Sequence, residues 1–315
     1  MSDTRARHLV ASSAGRRRVR RHLADDRAGL GALLLAPAIV FIILLVGVPF
    51  TLAIVYSLTD VTVGSHTQHF VGLANFERLM DSPDFWHAVR NTLVMTLLTQ
   101  LIVIVLANVL AQALARDFWG KWLVRLLILL PWVAPISLGT IGWLWLFDPI
   151  YSVLNWVLRA IGWLAPGQRY IWLGEPHLAM ASIIAVNVWR LLPLASVIIL
   201  AGLGGIPKEI LEAAAIDGAG PLRRTVYIIM PLMLPITLVA ALFGIVFSVS
   251  DLIVVFVLTR GGPFNSTQVL ASWAYFTGID GGDLGGGAAI ALFLFPVLVG
   301  VAALLLRLAR RTEVV

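Results

Sequence analysis

The sequence contains no cysteine. Disulfides, thiolate nucleophiles and Cys-ligated zinc are therefore excluded. Charge is scarce as well. Only 13% of the 315 residues are Asp, Glu, Lys or Arg, about half the fraction found in soluble domains. Lysine is nearly missing: Lys121 and Lys208 stand alone among 23 basic residues. No GxxxxGK[ST] occurs, because Gly120-Lys121 is followed by Trp122. The chain thus has no P-loop of its own. The histidines are His8, His22, His66, His69, His87 and His177, and they form no HExxH pair. His66 and His69 share one loop and read as solvated imidazoles ahead of a metal site. No Ser/His/Asp grouping occupies a recognisable nucleophile elbow. The expectation is no enzyme: no catalytic residue, no metal and no cofactor in this chain.

What the sequence has is apolar length. Hydrophobic residues make up 59%, and the mean hydropathy is +0.92. Six runs reach the roughly 20 residues that cross a bilayer: Leu30–Tyr56, Val89–Ala115, Leu123–Phe147, Leu178–Gly204, Pro231–Leu258 and Gly286–Leu306. The first is too long for the apolar region of a signal peptide and has no small-residue cleavage site near its end, so it reads as a retained helix. The fold class is an all-α membrane protein with six transmembrane helices.

Basic residues set its orientation. One side carries eight arginines before residue 30, then Arg116, Lys121, Arg125, Lys208, Arg223, Arg224, Arg307, Arg310 and Arg311. The other carries only Arg78, Arg90, Arg159, Arg169 and Arg260. Both termini are expected in the cytoplasm. The charge sits at helix ends, where it fixes topology, so no nucleic-acid partner is read from it. Residues 1–29 form a basic tail, read first as a topology signal and second as a contact for anionic lipid, residues 30–307 the transmembrane domain, and residues 308–315 a second tail. Arginine in place of lysine hints at a GC-rich bacterial genome. The expected location is the bacterial plasma (inner) membrane.

The connection at residues 205–231 is different in character. Pro207 suits a helix start. Glu209 and Glu212 favour its positive end, and Ala213, Ala214 and Ala215 give it a small-residue surface. Gly218 and Gly220 then break it. Two readings stand: an amphipathic connector on the headgroups, or a docking element for a cytoplasmic partner.

Glu212-Ala213-Ala214, three residues, Gly218, nine residues, Ile228, one residue, Met230 and Pro231 resemble the EAA motif of binding-protein-dependent ABC importer permeases. The departure is Met230 in place of leucine, a nearly volume-conserving change. Leu258 to Leu270, Phe70 to Met80, Leu129 to Pro135 and Asp148 to Leu158 also resemble sugar permeases of the maltose and glycerol-phosphate type. The likeness spans roughly residues 30–307. The extra helices and large periplasmic insertion of the maltose permease are missing here. The resemblance implies the type I ABC importer permease fold. It also implies partners: a second homologous permease, two ATPase subunits that hold ATP and magnesium, and an extracytoplasmic solute-binding protein. Glu212, Ala213, Ala214, Asp217 and Gly218 would then form the joint with the ATPase.

Charges inside a membrane are costly and mark function by default. Arg190 lies mid-span and Asp251 lies in the outer part of span five. They form a structural ion pair or meet solute. Asn187, Trp189 and Ser248 complete the candidate pathway, since a sugar needs hydrogen bonds and an aromatic face. Pro131, Pro135, Pro193 and Pro235 are expected to interrupt helices. The glycine-rich stretch from Gly278 to Gly287 reads as a flexible connection. Carbohydrate import is the leading function. The alternatives are import of glycerol phosphate, which Arg190 would welcome, an ion-coupled secondary transporter, and a membrane scaffold.

Overall fold

The computed structural model describes residues 27–65 and 67–312. The expectations for residues 1–26, for His66 and for residues 313–315 lie outside these. Helices dominate, as they must where lipid offers no backbone partner. Among the described residues, β-structure is limited to one bridge, Thr59 with Phe70.

Two units divide between Val55 and Tyr56. In the first, α1 (Arg27–Ile42) passes through a π-helical turn, Ile43–Gly47, into α2 (Val48–Ser57). Leu34, Phe41, Ile43 and Leu45 are all more than half exposed. A helix apolar on every side belongs against lipid or another helix.

The second unit begins with α3 (Ala74–Met80) and the long α4 (Pro83–Ala115). Next come α5 (Lys121–Val133), α6 (Ile136–Leu146), the short α7 (Val153–Ala160) and α8 (Pro176–Leu203). After these lie α9 (Lys208–Ile216), α10 (Pro221–Arg224), a π turn at Thr225–Ile229 and α11 (Met230–Val249). The chain ends with α12 (Ile253–Leu258), α13 (Leu270–Tyr275), a π turn at Phe276–Asp280 and α14 (Leu284–Thr312). Among the described residues, five helices are long and apolar enough to span a membrane, or six if α5 and α6 count as one. The core packs α4 along α8, with α11 against both and α14 against α11. Val103, Ala107, Leu191, Ile199, Met233 and Ala240 fill the centre of this seam. At one end, Phe85 meets Phe293 edge-on at 4.8 Å.

Four expectations need correction. Span three is not one straight helix: α5 and α6 are bent by 96° at a break of Ala134 and Pro135. Pro135 there precedes α6, with its φ at −55°. The other three prolines do not interrupt anything. Pro131, Pro193 and Pro235 lie inside α5, α8 and α11. A membrane helix tolerates proline because neighbouring helices satisfy the freed groups. Span five is not continuous to Leu258: α11 ends at Val249, and Ser250–Leu252 separate it from α12.

The fourth correction concerns Gly278 to Gly287, which is a packing junction instead of a flexible connection. Only residues 281–283 lie outside helical segments. A Cβ on Gly287 would stand 2.5 Å from the Gly278 Cα, and one on Gly285 would collide with the Thr59 carbonyl. Glycine is needed there because two backbones touch.

Candidate functional site

The segment from Pro207 to Gly220 folds as one short helix with a formal stop. Pro207 caps α9 at its start with φ −56°. At its end, the Ala219 N–H donates to the Ala214 carbonyl at 2.9 Å, and the Gly218 N–H to the Ala215 carbonyl at 3.1 Å. This pair of bonds is the Schellman stop, which requires a left-handed residue between them. Gly218 supplies it, with φ +76°. Gly220 and Pro221 then start α10, which runs through the π turn into α11.

Glu212, Ala213, Asp217 and Gly218 are exposed, and Ala214 is buried. Around them the surface is unusually apolar for a connection. Ile216 is 87% exposed, Leu222 78% and Tyr227 73%. Exposed large apolar side chains beside small ones mark a surface that something covers. Beside α9 lies a cavity of about 390 Å³ lined by Gln112, Arg116, Leu211, Arg224 and Thr225. The Thr225 hydroxyl donates to the Gln112 Oε1 at 2.9 Å, tying the π turn to the end of α4. Sequence reasoning missed this link because 113 residues separate its ends.

The second cluster lies among α4, α8 and the break after α11. The Arg190 Nη1 stands 3.6 Å from the Asp251 Oδ2, with the two side chains 19% and 2% exposed. The Asp251 Oδ1 also accepts from the Val254 N–H at 3.2 Å, which anchors the start of α12. Asn187 interacts with the same carboxylate and donates to the Ile183 carbonyl one turn earlier, at 3.2 Å. Ser248 is fully buried and accepts from the Gln100 Nε2 at 3.1 Å. Gln100 in turn fills the space beside Gly244, where a Cβ would strike its amide. Thr96, Thr99, Gln100, Ser182 and Asn187 each keep a buried oxygen without a partner. Burying such atoms costs on the order of 1–3 kcal/mol each.

The five expected pathway residues therefore do not form one cup. Asn187, Arg190 and Asp251 come together, and Ser248 is held by Gln100. Trp189 turns to α6 instead. Its ring stands 3.1 Å from where a Cβ on Gly139 would lie and packs edge-on against Trp143 at 5.8 Å. Gln100, outside the expected set, is the partner that fixes Ser248. Among the described residues no group of His, Asp or Glu gathers as metal ligands. His69 instead pairs its Nδ1 with the Asp60 Oδ2 at 3.1 Å. Hydrogen bonds from the His69 backbone and ring hold the Asp60 carboxyl below its ordinary range.

Residues 103–314 match the model of the binding-protein-dependent transport system inner membrane component. The sulfoquinovosyl glycerol transport system permease of Agrobacterium fabrum is 33% identical over 90% of this chain and 91% of its own length. The trehalose/maltose permease of Thermococcus litoralis is 30% identical over 90% and 94%. The glycerol-3-phosphate permease of Agrobacterium fabrum is 30% identical over 89% and 94%. Among solved structures, a chain of a bacterial alginate ABC transporter, in complex with its alginate-bound periplasmic protein, superimposes with a TM-score of 0.75. It is 21% identical, over 94% of this chain and 99% of that one, and shares the fold. With the family model covering well over half the sequence, this chain belongs to the inner-membrane components of binding-protein-dependent transport systems.

Proposed function

We propose that this chain is the permease subunit of an ATP-driven importer and that its cargo is a carbohydrate. The observation that carries the reading is α9: a short, stopped helix that offers exposed small and apolar side chains outside the spans. A rigid peg of this kind suits a groove in a separate ATPase. Glu212, Ala213, Ala214, Asp217 and Gly218 form the peg and its joint. Relatives named for sulfoquinovosyl glycerol and for trehalose and maltose support the cargo class. The arginine-rich side, with α9 and both termini, faces the cytoplasm. Residues 30–307 form the permease domain, flanked by the two basic tails. A second homologous permease completes the translocation path, two ATPase subunits supply energy, and an extracytoplasmic binding protein delivers the solute.

In this reading, ATP binding draws the two α9 pegs together, and the motion reaches α4 through the Gln112–Thr225 link and α11 through the π turn. The layer of Asn187, Arg190, Ser248 and Asp251 lines the path. Its unpaired oxygens find partners in water or in sugar hydroxyls when the bundle opens. Trp189 holds α6 against α8. The runner-up cargo is glycerol phosphate, favoured by the 30% identical permease named for it and by the cationic Arg190.

The test is uptake into vesicles carrying the assembled importer. Labelled maltose, trehalose, diacetylchitobiose and glycerol 3-phosphate are offered with and without ATP. ATP-dependent entry of one of the sugars is expected. Entry of glycerol 3-phosphate alone selects the runner-up. Uptake that ignores ATP and follows a proton gradient overturns the importer reading.

A further inference from the structure

At the end of the bundle where α4 and α14 begin and α12 ends, a second cavity opens. It lies away from α9 and from the Arg190–Asp251 layer. Its volume is about 340 Å³, within the range of small-molecule sites. Three segments wall it: the first turns of α4, the loop from Arg260 to Gln268, and the helical stretch from Leu270 to Asp280.

The lining has a definite chemistry. Asp84, His87, Asn265 and Gln268 contribute acceptors and donors, and Trp273 and Phe276 contribute aromatic surface. Hydroxyl-matching groups beside an aromatic face are what a sugar ring requires, because its edges are polar and its C–H face is apolar. The one cation on the loop is already engaged. The Arg260 Nη2 donates to the Asp280 Oδ2 at 2.9 Å. Its guanidinium also stands 4.7 Å from the Phe256 centroid and 5.3 Å from that of Phe276. With Arg260 paired to Asp280, Asp84 is the remaining acid of the lining, which disfavours an anionic ligand.

The loop that carries Asn265 is also fixed in place. The Thr259 and Thr267 hydroxyls meet at 2.8 Å, the Thr267 N–H donates to the Gly261 carbonyl at 3.1 Å, and the Thr267 hydroxyl donates to the Gly262 carbonyl at 2.6 Å. Gly261 lies so close under the Gln268 amide that a Cβ would collide with it. The Gln268 carbonyl accepts from the Asn91 Nδ2 at 3.0 Å, and the Leu270 N–H donates to the Thr92 hydroxyl at 2.9 Å. Phe264 and Asn265 are held at φ +53° and +58°, a left-handed conformation that is uncommon for phenylalanine. A backbone fixed this way presents Asn265 with little loop-ordering cost on binding.

From this we infer that the cavity is a carbohydrate subsite for a neutral glycoside, at the entrance of the path and separate from the membrane layer. It rests on the proposed import of a carbohydrate and adds a place where the sugar is first held by the permease. Binding there is weak, since a site on a transport path must release what it takes.

The test uses the purified full chain in lipid nanodiscs and saturation-transfer NMR. The probes are maltose, trehalose, diacetylchitobiose and, as the anionic comparison, glycerol 3-phosphate. At least one disaccharide is expected to receive saturation from the protein, and glycerol 3-phosphate to receive none. The double variant D84A/H87A, whose side chains are both exposed, should weaken that sugar's binding by roughly tenfold, the loss of two net hydrogen bonds. The milder F276L should reduce saturation of the ring C–H protons. No signal from any disaccharide, or signal unchanged in both variants, overturns the subsite. ATP-driven sugar uptake by the assembled importer alongside such a null result leaves the transport reading intact and removes only the subsite. Preferential saturation of glycerol 3-phosphate overturns the neutral-glycoside assignment.

Discussion

Replacing Asp251 with asparagine destabilises the chain by about 3–5 kcal/mol, the usual consequence of leaving one partner of a buried ion pair unpaired. Asparagine preserves the shape of the side chain and removes its charge. It keeps an oxygen for the Val254 N–H, so the start of α12 stays anchored. It loses the charge that faces Arg190 at 3.6 Å. Arg190 is 19% exposed, so bulk water does not replace the lost partner. Removing both charges together, as R190M/D251N, is expected to recover most of the loss, because no charge is then left buried without its partner. Melting midpoints of the wild type, R190M, D251N and the double variant in one detergent measure this cycle. A D251N midpoint at the wild-type value means that the pair contributes nothing. A double variant no better than D251N alone means that the damage has another cause.

At Gly218, valine is expected to lower ATP-driven uptake by roughly 5–30-fold while the chain still inserts and folds. The residue stands at φ +76°, and a Cβ there would meet nothing within 4 Å. The penalty is therefore conformational and not a collision. A left-handed L-residue costs about 1–2 kcal/mol, and a β-branched one more. Asparagine tolerates this conformation best among the others. The expected order of uptake is Gly, then Asn, then Ala, then Val. Gly220 provides the control. It also has open space around it, but its φ is −65°, so G220V should transport normally. Equal uptake by G218V and wild type would show that the Schellman stop is irrelevant to coupling. Equal damage from G220V would show that bulk, and not backbone geometry, is what the joint rejects.

Much of this was legible in the residues, and the exceptions have physical reasons. Long apolar runs reveal spans because a bilayer demands length, and the six runs and the helices agree to within a turn or two at most ends. The spacing from Glu212 to Pro231 revealed the stopped helix because proline and glycine act locally. The bend between α5 and α6 was invisible because both arms are equally apolar, and composition alone carries no direction. The prolines misled because proline weakens a helix in water more than in a bundle. Glycines 278–287 misled for a related reason: glycine permits both a loose chain and the closest backbone contact, and only the neighbour decides. The pairings of Asn91 with Gln268 and Thr92 with Leu270 join residues 177 and 178 positions apart. No local pattern announces such bonds. Arg190 and Asp251 were recognisable singly because charge in a span is rare. That Trp189 leaves them for Gly139 depends on packing alone.

The missing cysteines permit a direct test of the joint between α9 and an ATPase. With none in the native sequence, A213C places a single thiol on the exposed face of α9. A short thiol-to-amine cross-linker is applied to membranes that carry the whole transport system, and the cross-linked partner is identified by mass spectrometry. An ATPase subunit is expected on this residue, with uptake lost when the link forms. An A213C chain that transports its solute on ATP while its thiol captures no ATPase would contradict that expectation.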